Sequence, residues 1–195
     1  LRYTKYIDKM VKIILASKSK VRKEILDKNN IINNVVPSNV DEDIVKKSLL
    51  KEKASPEIIS KNLAELKANK VSDRNRDHLV LGADSVIDLN GELISKPKNR
   101  DEALKILKKL NGKKHYLVSS VCISKNGSMI WNYTEKATLT MKNFSDEDLK
   151  NYLSQGGDFG AAISTWLGYD FPDTCKAIHI NIMIVSYLEA APTKK

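Results

Sequence analysis

Apolar and polar residues follow one another in blocks along the chain, and the period changes from block to block. Val11 to Leu15 is a short apolar run with β-branched residues, which predicts a buried strand. The small and basic stretch Ala16 to Lys20 follows at once, and Val21, Ile25 and Leu26 then recur at helical spacing. Strand, tight polar loop and helix start in that order aim backbone N–H groups and a helix dipole at an anion. Ile31 to Val36 predicts a second strand, closed by Pro37 and leading into an acidic loop, Asp41-Glu42-Asp43. Ser55 before Pro56 marks a helix start, and Ile59, Leu63 and Leu66 form one apolar stripe with Lys67 beside it.

Leu79 to Leu89 predicts a strand with an acid, Asp84, in its middle, and Asn90-Gly91 is a hairpin turn before Glu92 to Ile94. Asn99 with Glu102 resembles a capping box for a helix carrying Ala103, Leu104, Leu107 and Leu110, which ends at Gly112. Tyr116 to Ile123 and Met129 to Met141 predict two more strands, joined as a hairpin at Lys125-Asn126-Gly127. Ser145 with Asp148 caps a last helix through Leu153, after which Gly156-Gly157 breaks the chain; Ala177 to Leu188 is a further apolar strand candidate. Strands alternating with helices, plus two hairpins, predict an α/β or α+β fold with a mixed sheet flanked by helices.

A chain of 195 residues suits one domain, or two small lobes sharing a sheet, and can bury a core without disulfides. Cys122 and Cys175 match no metal-ligand spacing and read as small apolar residues, which fits a reducing cytosol. No run approaches the ~20 apolar residues of a membrane span, and Ile13 to Ala16 is too short for a signal peptide, so a cytoplasmic protein is expected. Residues 1–9, which open on Leu1 and precede Met10, read as an extension upstream of a natural start. The net charge of +9 favours an anionic partner, but Lys and Arg are mixed with Asp and Glu along most of the chain. Aromatic residues are only 6%, which argues against a single-strand nucleic-acid binder stacking bases on rings.

The sequence holds no G-x-x-x-x-G-K-[ST] loop, no G-x-G-x-x-G, no H-E-x-x-H and no Cys-x-x-Cys, which argues against Walker, Rossmann and zinc-hydrolase chemistry. What it holds is hydroxyls, cations and carboxylates at element ends: Ser17, Ser19 and Arg22 after the first strand, Asp41 and Glu42 after the second, then Lys67, Asp84 and Lys96. Phosphate chemistry needs this mixture, because cations and hydroxyls hold phosphate oxygens while carboxylates bind a divalent cation and position water. Taken singly, Ser17 and Ser19 read equally as helix caps, and Arg22 and Lys67 as solvated helix charges. Asp84 carries more weight, since an acid buried in an apolar strand costs several kcal/mol without a partner.

The order of these pieces resembles the Maf nucleotide pyrophosphatases. Leu15-Ala16-Ser17-x-Ser19-x-x-Arg22-x-Glu24-Ile25-Leu26 is similar to the family's opening L-A-S-x-S-P-R-R-x-E-L-L. Val40-Asp41-Glu42 resembles its V-D-E, Leu63-Ala64-x-x-Lys67-Ala68 its L-A-x-x-K-A, and Gly82-Ala83-Asp84-Ser85-Val86 its G-A-D-[TQ]-V. Lys96-Pro97 with Glu102-Ala103, and Leu110-Asn111-Gly112-x-x-His115, continue the match in order. The resemblance implies an elongated mixed sheet with two lobes around a cleft, a divalent cation (Mg²⁺ or Mn²⁺), and hydrolysis of a nucleoside triphosphate to monophosphate plus pyrophosphate. It implies that Ser17, Ser19, Arg22, Lys67 and Lys96 grip the triphosphate, and that Glu42 and Asp84 hold the metal or the attacking water. Val21 and Ser85 stand at positions that separate family subgroups and depart from their patterns, so the preferred base stays open.

Residues 1–195 are thus expected to form a single Maf-like domain with a diverged or frame-shifted tail over 157–195. There the family's glycine- and aromatic-rich loop is not recognisable, and charged residues fall to 7 of 39 against 57 in the whole chain. A catalytically weak nucleotide- or nucleic-acid-binding protein is the alternative, and a homodimer is the assembly to test for.

Overall fold

The structure, a computed structural model, describes residues 12–155. The extension at 1–9, the tail at 157–195, the strand expected at Ala177 to Leu188 and Cys175 lie outside the described residues. The elements run β1 (Ile13–Leu15), α1 (Lys20–Lys28), β2 (Asn33–Val35), α2 (Glu42–Lys51), α3 (Pro56–Arg74), β3 (Leu79–Leu89), β4 (Glu92–Ile94), α4 (Arg100–Leu110), β5 (Lys114–Lys125), β6 (Ser128–Thr140) and α5 (Asp146–Gln155). The mixed α/β sheet expected from the alternation of elements is present, with strand order β2-β1-β3-β5-β6 and β4 beside β3.

Both hairpins close on Asn-Gly. Asn90 and Gly91 have φ of 53° and 86°, Asn126 and Gly127 of 53° and 81°, the left-handed pair that a two-residue turn between twisted strands requires. Helix starts follow their caps. Ser55 accepts from the Ile58 N–H, Asn99 from Glu102 and Ser145 from Asp148, each satisfying a donor that the helix itself leaves unpaired.

Two expectations need correction. The acidic segment 41–43 is not a loop: Asp41 is the N-cap of α2, accepting from the Ile44 N–H at 3.1 Å, and Glu42 and Asp43 lie in the first turn. No residue of α2 is fully buried, so its apolar pattern is too weak to announce a helix; caps and dipole-matched charges define it instead. In α3 Leu66 is 42% exposed, whereas Lys67 is 5% exposed and lies on the buried face with Ser60, Ala64 and Ala68.

The long strands β3, β5 and β6 carry two separate apolar clusters on one face. Near β1 and α1 lie Ile13, Leu15, Leu26, Leu81, Ala83, Val121 and Ile123; toward α4 and α5 lie Leu89, Ile94, Leu107, Leu110, Met141 and Leu149. These are the two lobes, and they share one sheet. On the edge of β3 away from β5, β1 pairs only Leu79 to Leu81 and β4 only Ile87 to Leu89. Gly82 to Val86 has no strand on that side, so the sheet edge is open at Asp84. Among the described residues no helix is long and apolar enough to cross a membrane.

Candidate active site

The site is built around that gap. Past the end of β1, the Ala16 N–H still donates to the Leu81 carbonyl at 2.8 Å, and the chain then turns into α1. Ser17 Oγ accepts from the Ser19 N–H (3.2 Å) and from Arg22 Nη1 (3.1 Å), while Ser19 caps α1 by accepting from the Arg22 N–H (3.4 Å). Arg22 crosses the gap: Nη1 donates to the Ala83 carbonyl at 2.9 Å and Nη2 reaches Ser85 Oγ at 3.5 Å. A guanidinium, two hydroxyls and a helix N-terminus thus meet outside the carboxyl end of a parallel strand, where open α/β sheets bind phosphate groups.

On the other face of β3 lies α3, and the contact is very close. A Cβ on Gly82 would stand 2.2 Å from the Ala64 carbonyl oxygen and 2.9 Å from Ala68 Cβ, so only glycine against alanines permits it. Ser60 Oγ, fully buried, donates to the Asp84 carbonyl at 3.2 Å. One turn of α3 separates Ala64 from Lys67, whose ammonium is thereby set against Asp84. Lys67 Nζ donates to Asp84 Oδ1 at 2.7 Å and pairs with Glu42 Oε1 at 2.7 Å. α2 delivers Glu42, and Lys46, one turn on, lies 3.5 Å from Glu42 Oε2.

The two carboxylates differ in character. Burial raises the Asp84 pKa, outweighing the pull of Lys67 and Arg22, and the Glu42 charge adds to the rise. Burial also works upward on Glu42, but the hydrogen bond and charge of Lys67, with Lys46 and Lys96, hold it below the usual range. Asp84 Oδ2 is buried and has no hydrogen-bond partner among the described residues. Such an oxygen is costly unless something occupies it during function. Among the described residues no group of three or more His, Cys, Asp or Glu could enclose a metal ion.

The structure brings together Ser17, Ser19, Arg22 and Ser85 on one face, and Glu42, Lys67 and Asp84 on the other. The sets are coupled electrostatically, since burial depresses the Arg22 pKa while Asp84 and Glu42 support its charge. Lys96 is exposed after β4 and makes no hydrogen bond or ion pair among the described residues, although its charge acts on Glu42. Val21 is an exposed side chain on the first turn of α1. Ser60 and Ser119, the latter 3.0 Å from Ser85 through their hydroxyl oxygens, belong to the site and were not anticipated. Ser119-Ser120 inside an apolar strand was the available signal, of the same kind as Asp84. Cys122 is buried and free, its thiol pushed up to about 11 by burial, an unreactive core residue. The groove between α2 and α3, lined by Val40, Asp41, Ile44, Val45 and Leu66, takes in Asp41 but none of the residues expected to grip phosphate or hold the metal.

The family model described as Maf-like protein matches residues 12–168. The chain is 68% identical over 150 residues to a nucleoside triphosphate pyrophosphatase of Pelagibacter ubique (strain HTCC1062), covering 76% of this chain and 77% of that protein. It is 38% identical over 148 residues to a nucleoside triphosphate pyrophosphatase of Ruegeria pomeroyi, covering 76% and 74%. A solved HAM1 protein from Coxiella burnetii is similar at 14% identity and a TM-score of 0.38, over 66% of this chain and 71% of that one. The family model matches residues 12–168 and the relatives cover more than two thirds of both lengths: the chain belongs to the Maf-like protein family.

Proposed function

We propose that the chain is a nucleoside triphosphate pyrophosphatase, releasing a nucleoside monophosphate and pyrophosphate with the help of a divalent cation. The observation that carries the reading is the Glu42–Lys67–Asp84 cluster, with one buried carboxylate oxygen unpartnered among the described residues, at a sheet gap bordered by Arg22 and the α1 N-terminus. The names of the relatives support the same chemistry.

Hydrolysis joins a water oxygen to the α-phosphorus and breaks the α–β anhydride; the water's proton needs an acceptor and the departing pyrophosphate needs counter-charge. Asp84 is the acceptor in this reading, because its raised pKa makes it a better base than an ordinary aspartate. Lys67 holds Asp84 and Glu42 in place through two 2.7 Å contacts. Ser17, Ser19, Arg22 and Lys96 grip the triphosphate, with charge-assisted hydrogen bonds from the cations. The donor set fits Mg²⁺ or Mn²⁺, which take one or two carboxylates and complete their shell with water and substrate phosphates. Glu42 would hold the ion together with substrate phosphates, leaving Asp84 Oδ2 to the attacking water, and the ion when bound neutralises charge on the phosphates. The proposed compartment is the cytoplasm, supported by the free thiol of buried Cys122, and nucleic acid is not proposed as a partner. The residue 157–195 segment is proposed as part of the same domain, and homodimerisation is to be read from sedimentation.

Pyrophosphate release should be measured across the common triphosphates, in chelator and after adding back Mg²⁺ or Mn²⁺. The expected result is turnover that chelator abolishes and either ion restores. Binding of oligonucleotides without turnover of any triphosphate would favour the binding-protein alternative.

A further inference from the structure

Between the two apolar clusters the shared sheet face carries one polar row. Ser85, Ser119 and Glu135 are direct cross-strand partners on β3, β5 and β6. The row on one side is Ala83, Val121 and Tyr133, which belong to or pack on the first cluster; on the other side Ile87, in register with Leu117 and Ala137, packs on the second. Alternation puts Ser85, Ser119 and Glu135 on the same face as Arg22, and the contacts agree: Arg22 Nη2 to Ser85 Oγ at 3.5 Å, then Ser85 Oγ to Ser119 Oγ at 3.0 Å. At the end of the row the Tyr133 hydroxyl donates to Glu135 Oε2 at 2.6 Å.

Neither Ser119 nor Glu135 touches the Glu42–Lys67–Asp84 cluster, which occupies the opposite face. The Glu135 carboxylate, half-buried between the two apolar clusters, keeps part of its surface accessible while it accepts from Tyr133. Two strand spacings, about 10 Å, separate Ser85 from Glu135, which is the scale of a nucleoside extending from phosphates held at Arg22. Tyr133 keeps its proton, because the hydrogen bond and charge of Glu135 raise the phenol pKa; the phenol is therefore the donor and the carboxylate the acceptor. Among the described residues Glu135 Oε1 and the second lone pair of Oε2 are left to accept.

We propose that the row Ser85–Ser119–Glu135 is the base-recognition floor of this site, and that Glu135 determines specificity by accepting two adjacent N–H donors of a guanine-type base. The inference rests on the pyrophosphatase reading. Guanine presents N1–H and N2–H side by side, matching a carboxylate's two oxygens as a guanidinium does. Uracil and thymine present one N–H between two carbonyl oxygens, which the carboxylate repels. Adenine and cytosine pair an amino donor with a ring-nitrogen acceptor. A site built around such hydrogen bonds rejects analogues that leave it unpaired. Tyr133 is a positioning residue that orients the carboxylate.

The test compares wild type, Glu135→Gln and Tyr133→Phe in kcat/KM for GTP, ATP, CTP and UTP, and in calorimetric affinity for the α,β-methylene analogues of GTP and UTP. Glu135→Gln is isosteric at a half-exposed position, and thermal melting verifies its fold. Wild type should prefer GTP over UTP by at least about tenfold in both readouts, the scale of modest hydrogen-bond discrimination. In Glu135→Gln that ratio should fall at least about tenfold, and in Tyr133→Phe by a few-fold. A wild-type ratio near one, or a Glu135→Gln loss that is equal for all four bases, would overturn the proposal. If no triphosphate is turned over but the analogues show a guanine preference that Glu135→Gln removes, the base floor stands and the pyrophosphatase reading falls.

Discussion

In Asp84→Asn, turnover at saturating nucleotide and Mg²⁺ is expected to fall at least roughly a hundredfold, the lower scale for losing a positioned acid–base group. The substitution keeps the shape and removes the charge together with the proposed proton acceptor at Oδ2, a buried oxygen with no hydrogen-bond partner among the described residues. Nucleotide affinity should change less, because Arg22, Ser17 and Lys96 are untouched. Folding should be nearly unaffected. Lys67 keeps Glu42 at 2.7 Å, an amide oxygen can still accept at Oδ1, and the desolvation that raises the Asp84 pKa is relieved.

The pH dependence follows from the same shift. With its folded pKa above the ordinary 3.8, Asp84 holds its proton to higher pH, so the acid limb of kcat/KM should lie above that value in wild type. For stability, the folded state binds this proton more tightly than the unfolded chain. The Asp84 contribution therefore declines as pH rises from 3.8 through the folded pKa, and above both it is a constant penalty that the asparagine removes. Wild-type turnover in a folded Asp84→Asn protein would remove Asp84 from the mechanism, and so would loss of activity explained by unfolding.

Gly82→Ala should harm folding and activity together. The new Cβ would meet main-chain atoms, the Ala64 oxygen at 2.2 Å and the Ala68 nitrogen at 2.7 Å, so α3 must move away from β3. Overpacking of this kind costs about 1–3 kcal/mol, each worth about 2–4 °C in Tm for a chain of this size. Because Lys67 rides on the same turn, moving α3 also loosens its contacts with Asp84 and Glu42. A displacement of about 1 Å in a positioned group can cost a hundredfold in rate; at least about a tenfold loss of kcat is expected here. The checks are a thermal melt and steady-state kinetics. Unchanged Tm and kcat would mean that the close approach of helix and strand does not set the site.

The same contact explains which parts of the site could be read from the sequence. Asp84 was legible because an acid in an apolar strand has few structural reasons to be there. The two Asn-Gly turns were legible because their backbone demand is local. The orientation of α3 was not. From Leu63, Leu66 and Lys67 are three and four residues on, and residue type alone favours the leucine as the inward one. The glycine at 82 reverses this by drawing the small face Ala64–Ala68 onto β3 and carrying Lys67 inward with it. α2 was missed because it buries no residue completely, leaving no periodic signal beyond its caps. The division of Arg22 and Lys67 between opposite faces of β3 depends on strand register, which a single sequence does not specify at long range.

The account requires water to attack the α-phosphorus at the gap in the sheet, so the position of the solvent oxygen in the products is its most direct test. A single turnover of a nucleoside triphosphate in ¹⁸O-water with Mg²⁺, analysed by mass spectrometry and ³¹P NMR, should place one heavy oxygen in the monophosphate and leave the pyrophosphate unlabelled. Label in the pyrophosphate, or release of orthophosphate and a nucleoside diphosphate, would contradict it.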